Sequence, residues 1–208
     1  MSHPHARTGG TPVARRPKPP RAALLLALLS LTGLPAAATT LRRDDAPTLL
    51  AGSQQVVVGR VVAVRPHWDT SHRRIVTDVS LAVLETIKGA VADSLTLTQL
   101  GGEVDGVRYA IEGSPEFKVG DEALLFVWRD RRGRAQVNGL AQGRFGITRD
   151  RATGARLLER PLPGLALRPA ATGAAARRGG AGEGPSLDDA VSTLRRLAGS
   201  AASPAAGR

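Results

Sequence analysis

The middle of the chain alternates between short apolar, β-branched runs and turn-forming pairs. Gln55–Val64 reads QVVVGRVVAV. Arg74–Lys88 follows, with Ile75, Thr77, Val79, Leu81 and Val83 roughly alternating with Asp78, Ser80 and Glu85. In Ser94–Leu100, Leu95, Leu97 and Gln99 share one face and Thr96 and Thr98 the other. Glu122–Arg129 (EALLFVWR) is apolar almost throughout, the pattern of a strand buried on both faces. Arg134–Leu140 and Arg144–Arg149 complete the series. The separators are Lys88-Gly89, Gly101-Gly102, Asp105-Gly106, Gly120-Asp121 and Arg132-Gly133, all turn-formers. No helical period intervenes. The pattern predicts a mainly β domain over 54–160: a five- to six-stranded antiparallel, OB-like (Greek-key) barrel. Gly59 gives the first strand a place to bend, so that it can serve both sides of a barrel.

The flanks follow other rules. Residues 1–38 carry five basic side chains (Arg7, Arg15, Arg16, Lys18, Arg21) and no acid. An apolar run, Ala22–Leu34, comes next and is too short to span a bilayer comfortably. Small residues close it at Pro35–Ala38. That order predicts a secretory signal peptide over 1–38, a mature start near Thr39, and a secreted or periplasmic protein whose only membrane contact is transient targeting. A lead segment, 39–53, precedes the barrel. Residues 161–185 are rich in Pro, Ala and Gly without periodicity and read as a flexible linker. Ser186 can then cap a short amphipathic helix over Leu187–Ala198, with Leu187, Ala190, Val191, Leu194 and Leu197 on one face. Such a short helix is marginal unless packed, which favours docking on its own domain. Residues 199–208 read as a disordered tail.

Composition narrows the function. There are 208 residues, 29 Lys+Arg against 18 Asp+Glu, and a net charge of +11. Without the five basic residues of the signal, 24 basic face 18 acidic residues and the net charge falls to +6. Much of the basicity is therefore a targeting feature and not a nucleic-acid footprint. The absence of cysteine excludes disulfides, thiolate metal sites and a cysteine nucleophile. Six aromatic residues provide few stacking platforms.

The string VVVGRVVAV … IVTDVSLAVLETIKG … LTLTQLGGEVDG … PEFKVGDEALLFVW … AQVNGLAQGRFGI, covering about Gln54–Thr148, resembles a group of exported bacterial proteins. Their barrel is similar to that of the tissue-inhibitor-of-metalloproteinase and netrin-type domains. The resemblance implies the OB-like fold. It does not carry over the inhibitory mechanism, because those inhibitors place a disulfide-tethered N-terminal cysteine at the protease zinc and this chain has none.

Candidate chemistry concentrates in PHWDTSH, read as the loop between the first two strands. His67, Asp69 and His72 offer imidazole and carboxylate ligands, but their spacing defines no metal geometry. Trp68 is either an exposed anchor or a cap folded over the barrel mouth. With Arg73, these residues (His67, Trp68, Asp69, His72, Arg73) form the candidate interaction site. Glu103 and Asp105 in GGEVDG read as a tight turn, since a calcium loop needs more oxygens at fixed spacing. The basic tip Arg129–Arg134 could meet phosphates but reads more simply as a solvated hairpin. No nucleophile–base motif is present, so no catalytic, cofactor or metal residue is assigned, and no nucleic-acid partner is expected. The sequence points to a non-catalytic binding module for a protein or an envelope component. The alternatives are a hydrolase using carboxylates brought together from separate strands, or a protease-inhibitor-like module by fold analogy.

Overall fold

In the computed structural model, residues 44–167 and 184–202 are described. The signal-peptide reading and most of the linker reading fall outside these residues. A helix, α1 (Ala46–Gly52), leads into β1 (Gln55–Trp68), β2 (Ile75–Lys88), β3 (Ser94–Leu100), a small hairpin of β4 (Gly102–Val104) and β5 (Val107–Tyr109), then β6 (Glu122–Arg129), β7 (Ala135–Val137), a 3-10 turn (Leu140–Gly143), β8 (Arg144–Arg149), β9 (Arg156–Leu158) and α2 (Leu187–Ala202).

Five strands close a barrel. The order is β1-β2-β3-β7-β6, and β6 pairs back onto β1. Every pairing is antiparallel except β3 with β7, which run parallel and meet at the single pair Leu97↔Ala135. The expectation of a wholly antiparallel barrel is corrected at this seam. β1 serves both sides as expected. Its first half, Gln55–Arg60, pairs with β6, and the strand pairs with β2 from Val56 to Trp68. Register shifts fall at Val56/Val57, Val58/Gly59 and Val61/Ala63, and such bulges increase strand bend and twist.

The core has two compartments. Val57, Val61, Val79, Leu81, Leu95, Leu97, Ala123, Leu125, Val127, Ala135 and Val137 fill the barrel. Outside it, Val56, Val58, Leu124, Phe126 and Phe145 meet Leu49 and Leu50 of α1, Leu158 of β9, and Leu187, Ala190, Val191 and Leu194 of α2. β6 therefore divides its apolar run between two cores, which is why EALLFVWR shows no polar alternation. Phe126 and Phe145 meet edge-on with centroids 5.9 Å apart.

The flanking helices are built from local rules. Asp45 caps α1 by accepting from the Thr48 amide at 2.9 Å. The C-terminal carbonyls of α1 are taken up by Lys88 Nζ, which donates to Leu50 O at 2.6 Å and Ser53 O at 2.7 Å. α1 lies within the lead segment, whose seven-residue helix is too short for its period to stand out. Ser186 Oγ accepts from the Asp189 amide, and α2 runs four residues past the expected Ala198. Its apolar face packs on the barrel, as the marginal stability of a lone short helix requires.

Three further expectations change. Leu162, inside the expected linker, is buried at 1 % exposure, and Pro163 O accepts from the Ala46 amide, so the chain stays packed past residue 160. The strand expected over Arg134–Leu140 stops at Val137, because Gly139 and Leu140 take left-handed φ of 69° and 56°. GGEVDG is more than a turn. It forms the β4–β5 hairpin, with Asp105 and Gly106 at φ of 51° and 76°, the two-residue geometry that Asp-Gly favours.

Candidate functional site

Two hairpin loops, β1–β2 and β6–β7, are organised the same way. Each begins with an aspartate that accepts from backbone amides further along its loop. Asp69 Oδ1 accepts from the amides of Arg73 at 2.9 Å and Arg74 at 3.3 Å, and its carboxylate also takes the Ser71 hydroxyl. Asp130 Oδ1 accepts from the amides of Arg132 at 2.8 Å and Arg134 at 3.0 Å. Asp69 and Asp130 also donate their own amides to Arg74 O and Arg134 O, closing each loop. Such aspartate turns replace a backbone turn with a side-chain one. The Arg73 amide foremost holds the Asp69 carboxyl below its usual range, with Ser71 and the Arg74 amide adding to it against the opposing effect of desolvation. At Asp130 burial opposes ionisation, but the Arg134 side chain and the loop amides outweigh it and its carboxyl is also held low.

Between these loops lies a cleft of 410 Å³ over the outer face of β2, β3 and β7. His67, Asp69, Thr70 and Arg74 line one bank; Arg132 and Arg134 line the other. Asp78, Thr98 and Gln136 form much of the floor. The floor is a hydrogen-bonded ladder. Asp78 and Thr98 are cross-strand partners, and Thr98 Oγ1 donates to Asp78 Oδ1 at 2.8 Å. The other oxygen, Oδ2, lies 3.1 Å from His67 Nε2. His67 Nδ1 lies 2.9 Å from Trp68 O, and that contact foremost raises the imidazole pKa above 6.5; desolvation opposes it and Asp78 adds to the rise. On the far bank Arg134 Nη2 holds Asp130 Oδ2 at 2.7 Å, and Gln136 Nε2 reaches the same oxygen at 3.3 Å.

The five candidate interaction residues separate here. His67 and Asp69 reach the cleft; Trp68, His72 and Arg73 are not in its lining. His67 and Trp68 are not loop residues, since β1 continues to position 68 and pairs them with Val76 and Ile75. Pro66 did not end the strand because β1 pairs with β6 only as far as Arg60, so beyond that point one edge of β1 needs no ladder amide. Trp68 is half-buried beside the fully buried Ile75. His72 is exposed at φ 53°, the left-handed position that Gly133 holds in the partner loop at φ 78°. Arg73 is exposed and contributes its amide to Asp69.

The sequence reading did not bring Arg74, Asp78 or Thr98 into the site, and it left the arginines of the other bank as a solvated hairpin tip. The alternation of β2 and β3 placed Asp78 and Thr98 outward. What it did not supply was the pairing that sets them side by side. Among the described residues no group of three or more His, Cys, Asp or Glu side chains could hold a metal ion. No protein-family model matches this chain, and no curated protein or solved structure matches it significantly.

Proposed function

We propose that this protein is an exported, non-catalytic binding module on an OB-like barrel, and that it holds a protein or envelope component in the cleft between the β1–β2 and β6–β7 loops. The OB-like reading is supported by the barrel order, in which the fifth strand lies between the third and fourth and closes in parallel on the third. OB barrels present ligands on the face of the second and third strands, between the loops that correspond to these two. The export reading rests on the charge and apolar order of residues 1–38.

The observation that carries the binding reading is the convergence of two independently braced loops on one cleft, with Arg74 on one bank and Arg132 and Arg134 on the other. Loops fixed on a rigid scaffold are where recognition concentrates. The acids of the cleft are engaged structurally: Asp69 with its own loop, Asp78 with Thr98 and His67. Carboxylates held this way are poorly suited to acid–base work, which favours binding over hydrolysis. The arginine-lined banks fit an anionic or strongly polar ligand surface.

The test is capture from envelope extract with the purified full chain and with the double variant Arg132→Glu/Arg134→Glu. The expected result is a partner retained by the wild type and lost by the variant, with a melting temperature lowered by no more than the loss of the exposed Arg134–Asp130 pair implies. Equal capture by both proteins would remove the cleft from the function.

A further inference from the structure

We propose that the mouth of the barrel, which shares only Gln99 and Leu100 with the loop cleft, is a second site, and that it takes a small apolar carboxylate. The site is a cavity of 340 Å³. That volume falls within the range of small-molecule sites, about 300–1,000 Å³. Barrel mouths are a recurrent place for such sites. Its inner wall is Val64, Thr77 and Val79, where the packed interior ends. The segment 111–118 crosses over it and contributes Ile111 and Phe117. That segment is anchored rather than loose: Gly113 O accepts from the Ala141 amide at 2.9 Å, and the Arg144 guanidinium lies 5.3 Å from the Phe117 ring centroid.

Two features give the ligand its polar end. Gln99 continues the inward row of Leu95 and Leu97, so its amide ends where the apolar filling stops. Its Nε2 is shut off from solvent and has no hydrogen-bond partner. A donor in that state is costly unless an acceptor completes it. The last torsion of a glutamine is soft, so the amide can turn toward an oxygen seated in the cavity. The charge of the lining sets the preferred oxygen. Arg108 and Lys118 stand against Glu116 alone, and no ion pair joins any of the three to a described residue. A concave, partly apolar site with net positive lining concentrates anions. An apolar body with one carboxylate meets all three conditions: walls, orphan donor and field.

Octanoate is the probe, with octanol as its uncharged counterpart, measured on the full chain by isothermal titration and ligand-observed NMR. Octanoate is expected to bind saturably, and octanol at least tenfold more weakly, as loss of a charge-assisted hydrogen bond implies at roughly tenfold or more. Gln99→Leu is expected to weaken octanoate by a similar factor, to leave octanol unchanged, and not to lower the melting temperature. Lys118→Glu, at the exposed rim, is expected to weaken octanoate without any change in fold. Arg132→Glu/Arg134→Glu is expected to leave octanoate binding intact, so this site and the loop cleft stand or fall separately. Absence of saturable octanoate binding, equal affinity for octanol, or unchanged octanoate affinity in both Gln99→Leu and Lys118→Glu would each overturn the proposal.

Discussion

One wall of the barrel is covered and the other is bare. Over β1 and β6, the helices α1 and α2 and the strand β9 build a second apolar layer, so Val56, Val58, Leu124 and Phe126 are as buried as the residues facing the interior. Beyond Ile87, which joins the helical layer, no second layer covers β2, β3 and β7 among the described residues, and outward positions there carry Asp78, Thr98 and Gln136. The same five strands thus stabilise on one side and offer polar groups on the other. The apolar packing and the proposed binding cleft are separated in space, so changes on the two walls should separate in experiment as well.

The largest effect is expected on the covered wall. Phe126→Ala should lower unfolding free energy by about 3–5 kcal/mol, and Leu194→Ala by about 2–5 kcal/mol, the range for large apolar side chains deleted from a core. Denaturant titration measures both. A loss under about 0.5 kcal/mol for Leu194→Ala, typical of an uncoupled surface site, would mean that α2 only rests on the barrel. An intermediate effect is expected at the rim of the bare wall. Trp68→Ala removes an aromatic–aliphatic cross-strand pair with Ile75 and should cost on the order of 1 kcal/mol. A core-sized loss there would make Trp68 a cap and blur the distinction between the walls.

Smaller still is His72→Gly. The left-handed backbone costs a residue with a Cβ roughly 1–2 kcal/mol, while glycine adds about 0.5–1 kcal/mol of unfolded-state entropy. The net expectation is a melting temperature equal to or slightly above wild type. A clear drop would give the His72 imidazole a role that its exposed position does not show. The smallest effect is pH-dependent. His67 has a folded pKa raised above 6.5, chiefly through the Trp68 carbonyl and then through Asp78, so its protonated form is favoured by folding. That contribution is fully present below pH 6.5 and fades as pH rises through the folded value. Comparing melting temperatures at acidic and mildly alkaline pH should show a slightly steeper decline for wild type than for His67→Gln. Identical profiles would detach His67 from the Asp78–Thr98 ladder.

How much of this was legible in the sequence follows the same division. The covered wall announced itself: Glu122–Arg129 could be apolar throughout only if both faces were buried, and the period of α2 gave its docking face. The helix α1 left no such trace, because seven residues cannot show a repeat and its stop depends on Lys88, distant in sequence. At the cleft, His67 and Asp69 were readable as a cluster. Their counterparts on the other bank were visible only as a basic tip, because strand order, and not local pattern, brings Arg132 and Arg134 opposite Arg74.

The seam between β3 and β7 has a consequence for the order in which the molecule assembles. β1, β2 and β3 pair through successive hairpin contacts, and β6 and β7 form another local pair. Closing the barrel needs two non-local joints: β1 with β6 over Gln55–Arg60, and β3 with β7 through the single pair Leu97↔Ala135, across the intervening hairpin and the 111–118 crossing. Contacts between residues far apart in sequence carry the larger loop-closure entropy and slow folding. Barrel closure is thus placed late, after the hairpins have formed, and amides beside the seam should be the first in the barrel to exchange with solvent when the native protein opens.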